Sequence, residues 1–195
     1  KNSYQINSPS LTDSPKDYSA LIFHAGKAIN ELLDAIAGGF VVAPNTELGL
    51  MFNPKSNNIA LRGSSEAVEY SGLILANAEW DINNNSRDSL SLQLKSDAVY
   101  MGSHLLMPRF SLIGGARENR VTITTGFKQQ DGNSSAMLGL SAQFSGNENS
   151  SRRSVHIDIT PSHFTNDTQQ RKLYSRGIDI ASARISVTEL HIARP

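Results

Sequence analysis

The hydrophobic pattern of this chain changes its period at Gly38-Gly39. Beyond that pair, apolar residues alternate with polar or small ones, as they do at Leu48, Leu50 and Phe52. Successive side chains of a β-strand point to opposite faces of a sheet, so a period of two predicts strands with one apolar face. Strands of this kind recur along most of the chain, and this pattern is typical of an antiparallel β-sandwich or barrel.

Turn-forming clusters separate the alternating segments. Asn83-Asn84-Asn85-Ser86, Gly114-Gly115 and Asp131-Gly132-Asn133 are examples, rich in the residues that favour turns. The predicted strands after the first hairpin are 71–82, 89–101, 104–113, 119–128, 136–144, 153–160, 172–180 and 183–193. In the last strand the alternation slips between Val187 and Leu190, which predicts a bulge.

A different pattern precedes the two glycines and predicts an N-terminal α-helix within 14–39. Ser14 is a suitable N-cap, Pro15 suits the first helical position, and Gly38-Gly39 provide a left-handed stop. The apolar residues of this segment are spaced 4, 3, 4, 3 and 4 apart: Tyr18, Ile22, Ala25, Ile29, Leu32 and Ile36. Such a seam is typical of a coiled coil and would join sister chains. The alternative is a helix that lies on its own sheet.

These patterns divide the chain into four predicted parts. Residues 1–13 are a polar tail, 14–39 the helix, 40–63 a first β unit, and 64–195 an all-β head domain. A length of 195 residues suits one domain with a small appendage.

Composition narrows the function classes. The chain has no cysteine, which excludes disulfides, thiolate zinc sites and cysteine nucleophiles. Its formal net charge is +0 and no basic stripe is visible, so nucleic acid is not the expected partner. No apolar run approaches the roughly 18 residues of a membrane-spanning helix, so we expect no membrane insertion.

Residues that could carry chemistry are scattered and form no known catalytic motif. His156, Asp158 and His163 could suggest metal ligands, but His156 and Asp158 share one side of a strand whose other side is apolar. We therefore interpret them as solvent-facing, and Glu189 and His191 in the same way. No serine lies in a Gly-x-Ser-x-Gly motif. The sequence predicts no enzyme, no cofactor and no metal site.

One segment resembles a known family. Leu48-Gly49-Leu50-Met51-Phe52-Asn53, a turn, and Ile59-Ala60-Leu61 are similar to one shaft repeat of trimeric viral fibres, such as adenovirus fibres and reovirus attachment proteins. In those families a shaft or coiled coil leads into an all-β head that binds a cell receptor. The resemblance implies a non-enzymatic attachment domain that forms a homotrimer at a virion surface or elsewhere outside the cell.

The polar loops of the head are the expected binding surface, since loops on a rigid sheet commonly carry recognition. The loops are 83–88, 114–119, 129–135 and 145–153, and the candidate residues are Asn84, Arg87, Arg117, Asn119, Gln130, Asn133, Arg152 and Arg153. The expected partner is a host-cell glycan or protein receptor. Two alternatives remain: a structural β-sandwich subunit of a pilus, capsid or envelope, and a secreted glycan-processing enzyme.

Overall fold

The computed structural model describes residues 19–24, 30–31, 38–86, 89–129, 132–146, 154–166, 169–181 and 184–193. These residues are mainly strand. The strands are β1 (Ser19–His24), β2 (Phe40–Val42), β3 (Glu47–Asn53), β4 (Asn58–Tyr70), β5 (Leu73–Ser86), β6 (Ser89–Met101), β7 (His104–Arg117), β8 (Arg120–Lys128), β9 (Ser134–Ser145), β10 (Ser154–Asn166), β11 (Gln169–Ala181), β12 (Arg184–Val187) and β13 (Leu190–Ala193). No helix among the described residues is long and apolar enough to cross a membrane.

All of these strands belong to one antiparallel sheet. From β3 to β12 each strand pairs with the next in the chain, and β1 adds to the free side of β3. Two short strands complete the sheet: β2 lies beside β4, and β13 lies beside β11. The connections 54–57 and 118–119 lie at one end of the sheet, here called the lower end. The connections 71–72 and 102–103 lie at the opposite, upper end.

The mainly antiparallel β prediction is confirmed. Five of the eight predicted strands end within two or three residues of the observed limits. The turns predicted at 83–86 and 114–115 are wrong, because these residues continue β5 and β7, whose backbones stay paired with the neighbouring strands. The predicted irregularity between Val187 and Leu190 is also observed, as the gap at 188–189 that separates β12 from β13. The boundary predicted at residue 63 falls inside β4, whose pairing to β3 and β5 continues through it.

The expected sandwich or barrel is not what the described strands form. They make one open sheet, in which β1 and β12 are the two ends of the strand order. Contacts between the described elements are those of strands that neighbour each other in the sheet. Alternation predicts which residues share a face, but it does not predict what covers that face. This is why the prediction of a sandwich or barrel was wrong.

The N-terminal helix is not supported. Ser19–His24, inside the predicted helix, is strand β1 and pairs with β3 from Ser19–Phe52 to His24–Glu47. Only Asn30 and Glu31 have helical backbone in the described part of 14–39. Pairing with β3 provides hydrogen-bond partners for the backbone of 19–24. The spacing of apolar residues alone could not exclude this pairing. Of the predicted seam, Ile22 lies in β1 and is 68% exposed. Tyr18, Ala25, Ile29, Leu32 and Ile36 lie outside the described residues.

The lower half of the sheet has two chemically different faces. Paired residues of neighbouring antiparallel strands point to the same side, so the registers assign each residue to a face. One side, here called the apolar face, carries Leu48, Leu50, Phe52, Ile59, Leu61, Trp80, Ile82, Leu90, Leu92, Leu94, Leu112, Val121, Ile123, Leu138, Leu140, Val155, Ile157, Ile159, Ile178, Ile180, Ile185 and Val187. The opposite side, the polar face, carries the charged residues of these segments.

A line of small buried residues crosses the middle of the sheet. Ser65, Ala78 and Ser96 are each 5% exposed or less. The Ser65 hydroxyl donates to the Ala67 carbonyl at 2.7 Å, and the Ser96 hydroxyl donates to the Ala98 carbonyl at 2.8 Å. These bonds satisfy carbonyls where the ladder is irregular. Above this line the apolar positions change phase, with Val68, Leu75 and the buried Val99 in the upper half.

Gly63 shows how tightly the apolar face is packed in places. It pairs with Trp80, and a Cβ at residue 63 would lie 2.4 Å from the Trp80 ring and 2.5 Å from the Glu47 carbonyl oxygen. The indole therefore occupies the space that a side chain would take. Glycine in a strand often marks such a close approach.

Candidate functional site

The lower end of the polar face holds a continuous row of polar side chains. Arg117 pairs with Arg120, Arg120 with Gln143, Gln143 with His156, and His156 with Asp179. These five residues are here called the polar row. Because each pair lies directly opposite in register, all five side chains leave the same face of the sheet. The row crosses β7 to β11, a distance of about 19 Å at the usual strand spacing.

The first part of the polar row is built by a two-residue turn. Glu118 and Asn119 join β7 to β8, and Glu118 adopts a left-handed φ of 51°. Such a short turn places Arg117 directly opposite Arg120. Two guanidinium groups on adjacent strands therefore share one side of the hairpin. Among the described residues, Arg117 has one long contact of 4.0 Å, to Glu118, in which both side chains are highly exposed.

Gln143 holds this turn against the next strand. Its carboxamide oxygen accepts from Arg120 Nε at 3.1 Å, and its nitrogen donates to the Asn119 carbonyl at 3.2 Å. The Phe144 amide donates to the same carbonyl at 2.8 Å. These bonds fix the direction of the Arg120 guanidinium while leaving its remaining N–H groups available, because the guanidinium has five donors.

An open cleft lies beside these residues. Its lining includes Leu90, Gly115, Arg117, Asn119, Arg120 and Thr122. Gly115 and Thr122 pair with each other one step inward from the arginines, and the missing side chain at Gly115 leaves the depression. The cleft is open and its lining is partly polar and partly apolar, so it suits a ligand that lies along the surface.

The other part of the polar row is a histidine between two carboxylates. Nδ1 of His156 lies 2.6 Å from Asp179 Oδ1, and Nε2 lies 3.3 Å from Asp158 Oδ1. The hydrogen bond to Asp179 is the main cause that raises the pKa of His156 above its usual 6.5, and the charges of Asp179 and Asp158 add to it. The group is open to solvent, with about half of each side chain exposed.

Gly177 makes room for this histidine. The β10–β11 register shifts between Ile157 and Asp158, and Gly177 stands at the shift with a φ of 109° that L side chains rarely adopt. A Cβ there would lie 3.0 Å from Cε1 of the His156 ring. The bulge thus lets the ring lie between Asp158 and Asp179.

The predicted binding residues fall in different places. Arg117 and Asn119 come together in the cleft at the lower end. Asn84 has a structural part: its carboxamide accepts from the Ile59 amide and donates to the Asn57 carbonyl, which attaches the 54–57 turn to β5. Asn133 lies in the turn between β8 and β9, at the upper end. Arg87, Gln130, Arg152 and Arg153 lie outside the described residues.

Three members of the polar row were missed from the sequence. Arg120 could have been found, since a two-residue turn at 118–119 dictates that Arg117 faces Arg120. Gln143 could not, because its partner His156 lies in β10, which starts after the long connection 146–153. Asp179 could not, because two register shifts separate its pair with His156 from the short connection at 167–168. His163 lies beyond a second register shift, paired with Met137 and Lys172, and does not join His156.

No metal centre is formed by the described side chains, since no group of three or more His, Asp or Glu residues has a suitable arrangement. The comparisons with known proteins add no identity: no family model, no curated protein and no solved structure matches this chain.

Proposed function

We propose that this chain is a non-enzymatic attachment module, displayed on a virion or another extracellular assembly, that binds an elongated acidic glycan along the polar row. The observation that carries the proposal is the register Arg117–Arg120–Gln143–His156–Asp179, which aligns planar polar groups on one exposed face. Arginine pairs hold carboxylate or sulfate groups through several N–H donors, and carboxylates accept from sugar hydroxyls.

The geometry of His156 supports a binding role over catalysis. A Ser-His-Asp arrangement needs one ring nitrogen on a carboxylate and the other on the nucleophile. Here both ring nitrogens face carboxylates. A glycosidase needs two carboxyl groups with the scissile bond between them, whereas the imidazole fills the space between Asp158 and Asp179. The glycan-processing alternative therefore has less support.

Binding of defined oligosaccharides tests the proposal. We expect a sulfated, heparin-derived hexasaccharide to bind in isothermal titration, and its desulfated counterpart to bind at least tenfold more weakly. Charge-assisted hydrogen bonds contribute about 1.5–3 kcal/mol each, so Arg117→Ala with Arg120→Ala should weaken binding roughly 100-fold.

Arg62→Ala is the matched control, because it removes one guanidinium from the same face in β4, where Arg62 pairs with Asp81 at 2.8 Å. It should leave binding unchanged. Equal affinity for the sulfated and desulfated sugars, or full binding by the double variant, would contradict the proposal.

The structural-subunit alternative retains one favourable observation, which is the apolar face described above. A subunit of a larger assembly commonly leaves such a surface for its neighbours. This property is compatible with attachment, since a fibre or capsid component must both assemble and bind.

A further inference from the structure

The apolar face is unusual for the surface of a single folded chain. Across β3 to β12, none of its positions in the lower half is charged, whereas the opposite face carries Arg62, Asp81, Lys95 and the polar row. Several of its large side chains are widely exposed: Ile185 is 70%, Val187 56%, Leu90 49% and Ile59 48% exposed. No large side chain among the described residues is fully buried, so the described part of the chain does not cover this face.

Its size fits a protein interface. Ten strands at about 4.8 Å spacing give a width of about 43 Å, and six residues at about 3.3 Å give a depth of about 20 Å. The product is on the order of 850 Å², larger than the usual greatest apolar patch of a monomer at about 300–600 Å². A stable protein complex buries about 800 Å² on each partner. The whole face is therefore enough for one stable interface.

We propose that a second copy of this chain covers the apolar face. A partner surface that carries charged groups would leave them unpaired at this contact, because the apolar face offers no charge to pair with them. An identical face leaves no charge unpaired, and contact between identical patches closes without growing into a polymer. Twisted sheets pack face to face in this way, with their strands about 30° apart and their side chains interdigitated.

The arrangement also fits the proposed attachment role without resting on it. Packing through the apolar face leaves the polar face, with its polar row, directed outward in each copy. Two copies packed in this way make a sandwich, and this arrangement does not need the helix seam predicted from the sequence.

Light scattering on the eluting protein tests the proposal directly. We expect a mass of twice the 21.2 kDa of one chain at micromolar concentration. Ile59→Asp combined with Ile185→Asp puts two carboxylates on the apolar face at positions 48% and 70% exposed. The dissociation constant should rise at least about 100-fold, since each unpaired charge costs the interface about tenfold or more.

Ile113→Asp is the control, because Ile113 is 57% exposed but lies on the polar face, paired with Gln93 and Thr124. Its mass should equal that of the unaltered chain. Circular dichroism of each variant reports whether the strands are retained. If the aspartate variant loses its strands, the uncharged double variant Ile59→Ser with Ile185→Ser is used instead, and we expect it to weaken association less.

A mass of 21.2 kDa for the unaltered chain at all concentrations would overturn the proposal, as would equal dissociation by the Ile113 variant. Glycan binding is measured separately on the monomeric variant. If that variant still binds the sulfated hexasaccharide, assembly and attachment are independent. A negative result for the assembly proposal would then not contradict the glycan-binding proposal.

Discussion

The two faces of the lower sheet are made by the same strands, yet they differ in charge and in polarity. The apolar face has large aliphatic and aromatic side chains, and the polar face has charged and hydroxyl groups that interact across strands. Arg62 and Asp81 are one example of such a pair, and His156 and Asp179 are another. Since residues alternate with a period of two, one step along a strand moves a side chain from one environment to the other.

The two faces therefore have different roles in the folded chain. Polar groups of the polar face have partners within the chain, as Arg120 does in Gln143, and exposed polar groups can also bond to water. The apolar face is incomplete, because burying apolar area is the main favourable contribution to folding and association and much of this area is still exposed. Substitutions at adjacent positions should therefore have very different effects on stability.

The largest difference is expected in β8, at two neighbouring residues. Ile123 lies on the apolar face opposite Leu140, and Thr122 lies on the polar face opposite Ser141. Ile123→Asp should reduce the free energy of unfolding by about 3–5 kcal/mol, because it places an unpaired charge among apolar groups. Thr122→Asp should change it by about 0.5 kcal/mol or less. Urea denaturation measures both, and equal losses would show that the faces do not differ.

A smaller difference is expected at two glycines of neighbouring strands. A Cβ at Gly63, on the apolar face, meets the Trp80 ring at 2.4 Å, whereas a Cβ at Gly49, on the polar face, meets only the Arg62 carbonyl oxygen, at 3.8 Å. Gly63→Ala should cost about 1–3 kcal/mol through overpacking. Gly49→Ala should be neutral or slightly stabilising. Thermal unfolding followed by Trp80 fluorescence compares them, and a neutral Gly63→Ala would mean that the indole moves aside freely.

Much of the sheet could be predicted from the sequence because strand formation is signalled locally. The alternation around Leu90, Leu92 and Leu94 is one example, and such patterns locate most strands after residue 70 to within about four residues, although β10 continues six residues past its predicted end. The side of each residue follows from the same alternation. The sequence does not signal how far the sheet curves or whether its apolar face meets another layer, since both depend on contacts between distant segments.

The failure at the N-terminus has a physical reason. Spacing of 4 and 3 residues predicts a helix only if the backbone has no better partner, and residues 19–24 pair with β3 instead. A strand and an amphipathic helix cannot be distinguished with certainty by apolar residues in so short a segment. Asn30 shows another such long-range contact: its side chain exchanges hydrogen bonds of 2.8 and 3.1 Å with the backbone of Val42.

The candidate site was predictable only where its members are close in sequence. Arg117 and Asn119 share one turn and were identified from it. His156 and Asp179 are 23 residues apart, and their contact depends on the bulge at Gly177. A register one residue different would place Asp179 on the apolar face. Sites that cross several strands are therefore beyond what local pattern can predict.

On the polar face, a modest effect is expected from the ion pair between Arg62 and Asp81. The two side chains are 63% and 34% exposed, so solvent screens their attraction. A double-mutant cycle with Arg62→Ala and Asp81→Ala should give a coupling energy of about 0.2–1 kcal/mol, and 0.5 M NaCl should reduce it. A coupling that is much larger, or that salt leaves unchanged, would mean that this face is covered in the native protein.

The smallest effect, and the most local, concerns the pKa of His156. The hydrogen bond to Asp179 raises this pKa above 6.5, so the folded chain favours the protonated imidazole. The sign of the linkage follows: the contribution to stability is fully present below pH 6.5 and is lost as the pH rises through the raised folded pKa. An NMR titration of the His156 ring should show a midpoint above 6.5. Asp179→Asn removes the main cause and should lower the His156 midpoint, whereas Asp97→Asn, which alters a carboxylate bonded to Asn77 at 2.9 Å in β5, should leave it unchanged. If the midpoint of His156 did not move in Asp179→Asn, the contact between β10 and β11 that completes the polar row would not exist in solution.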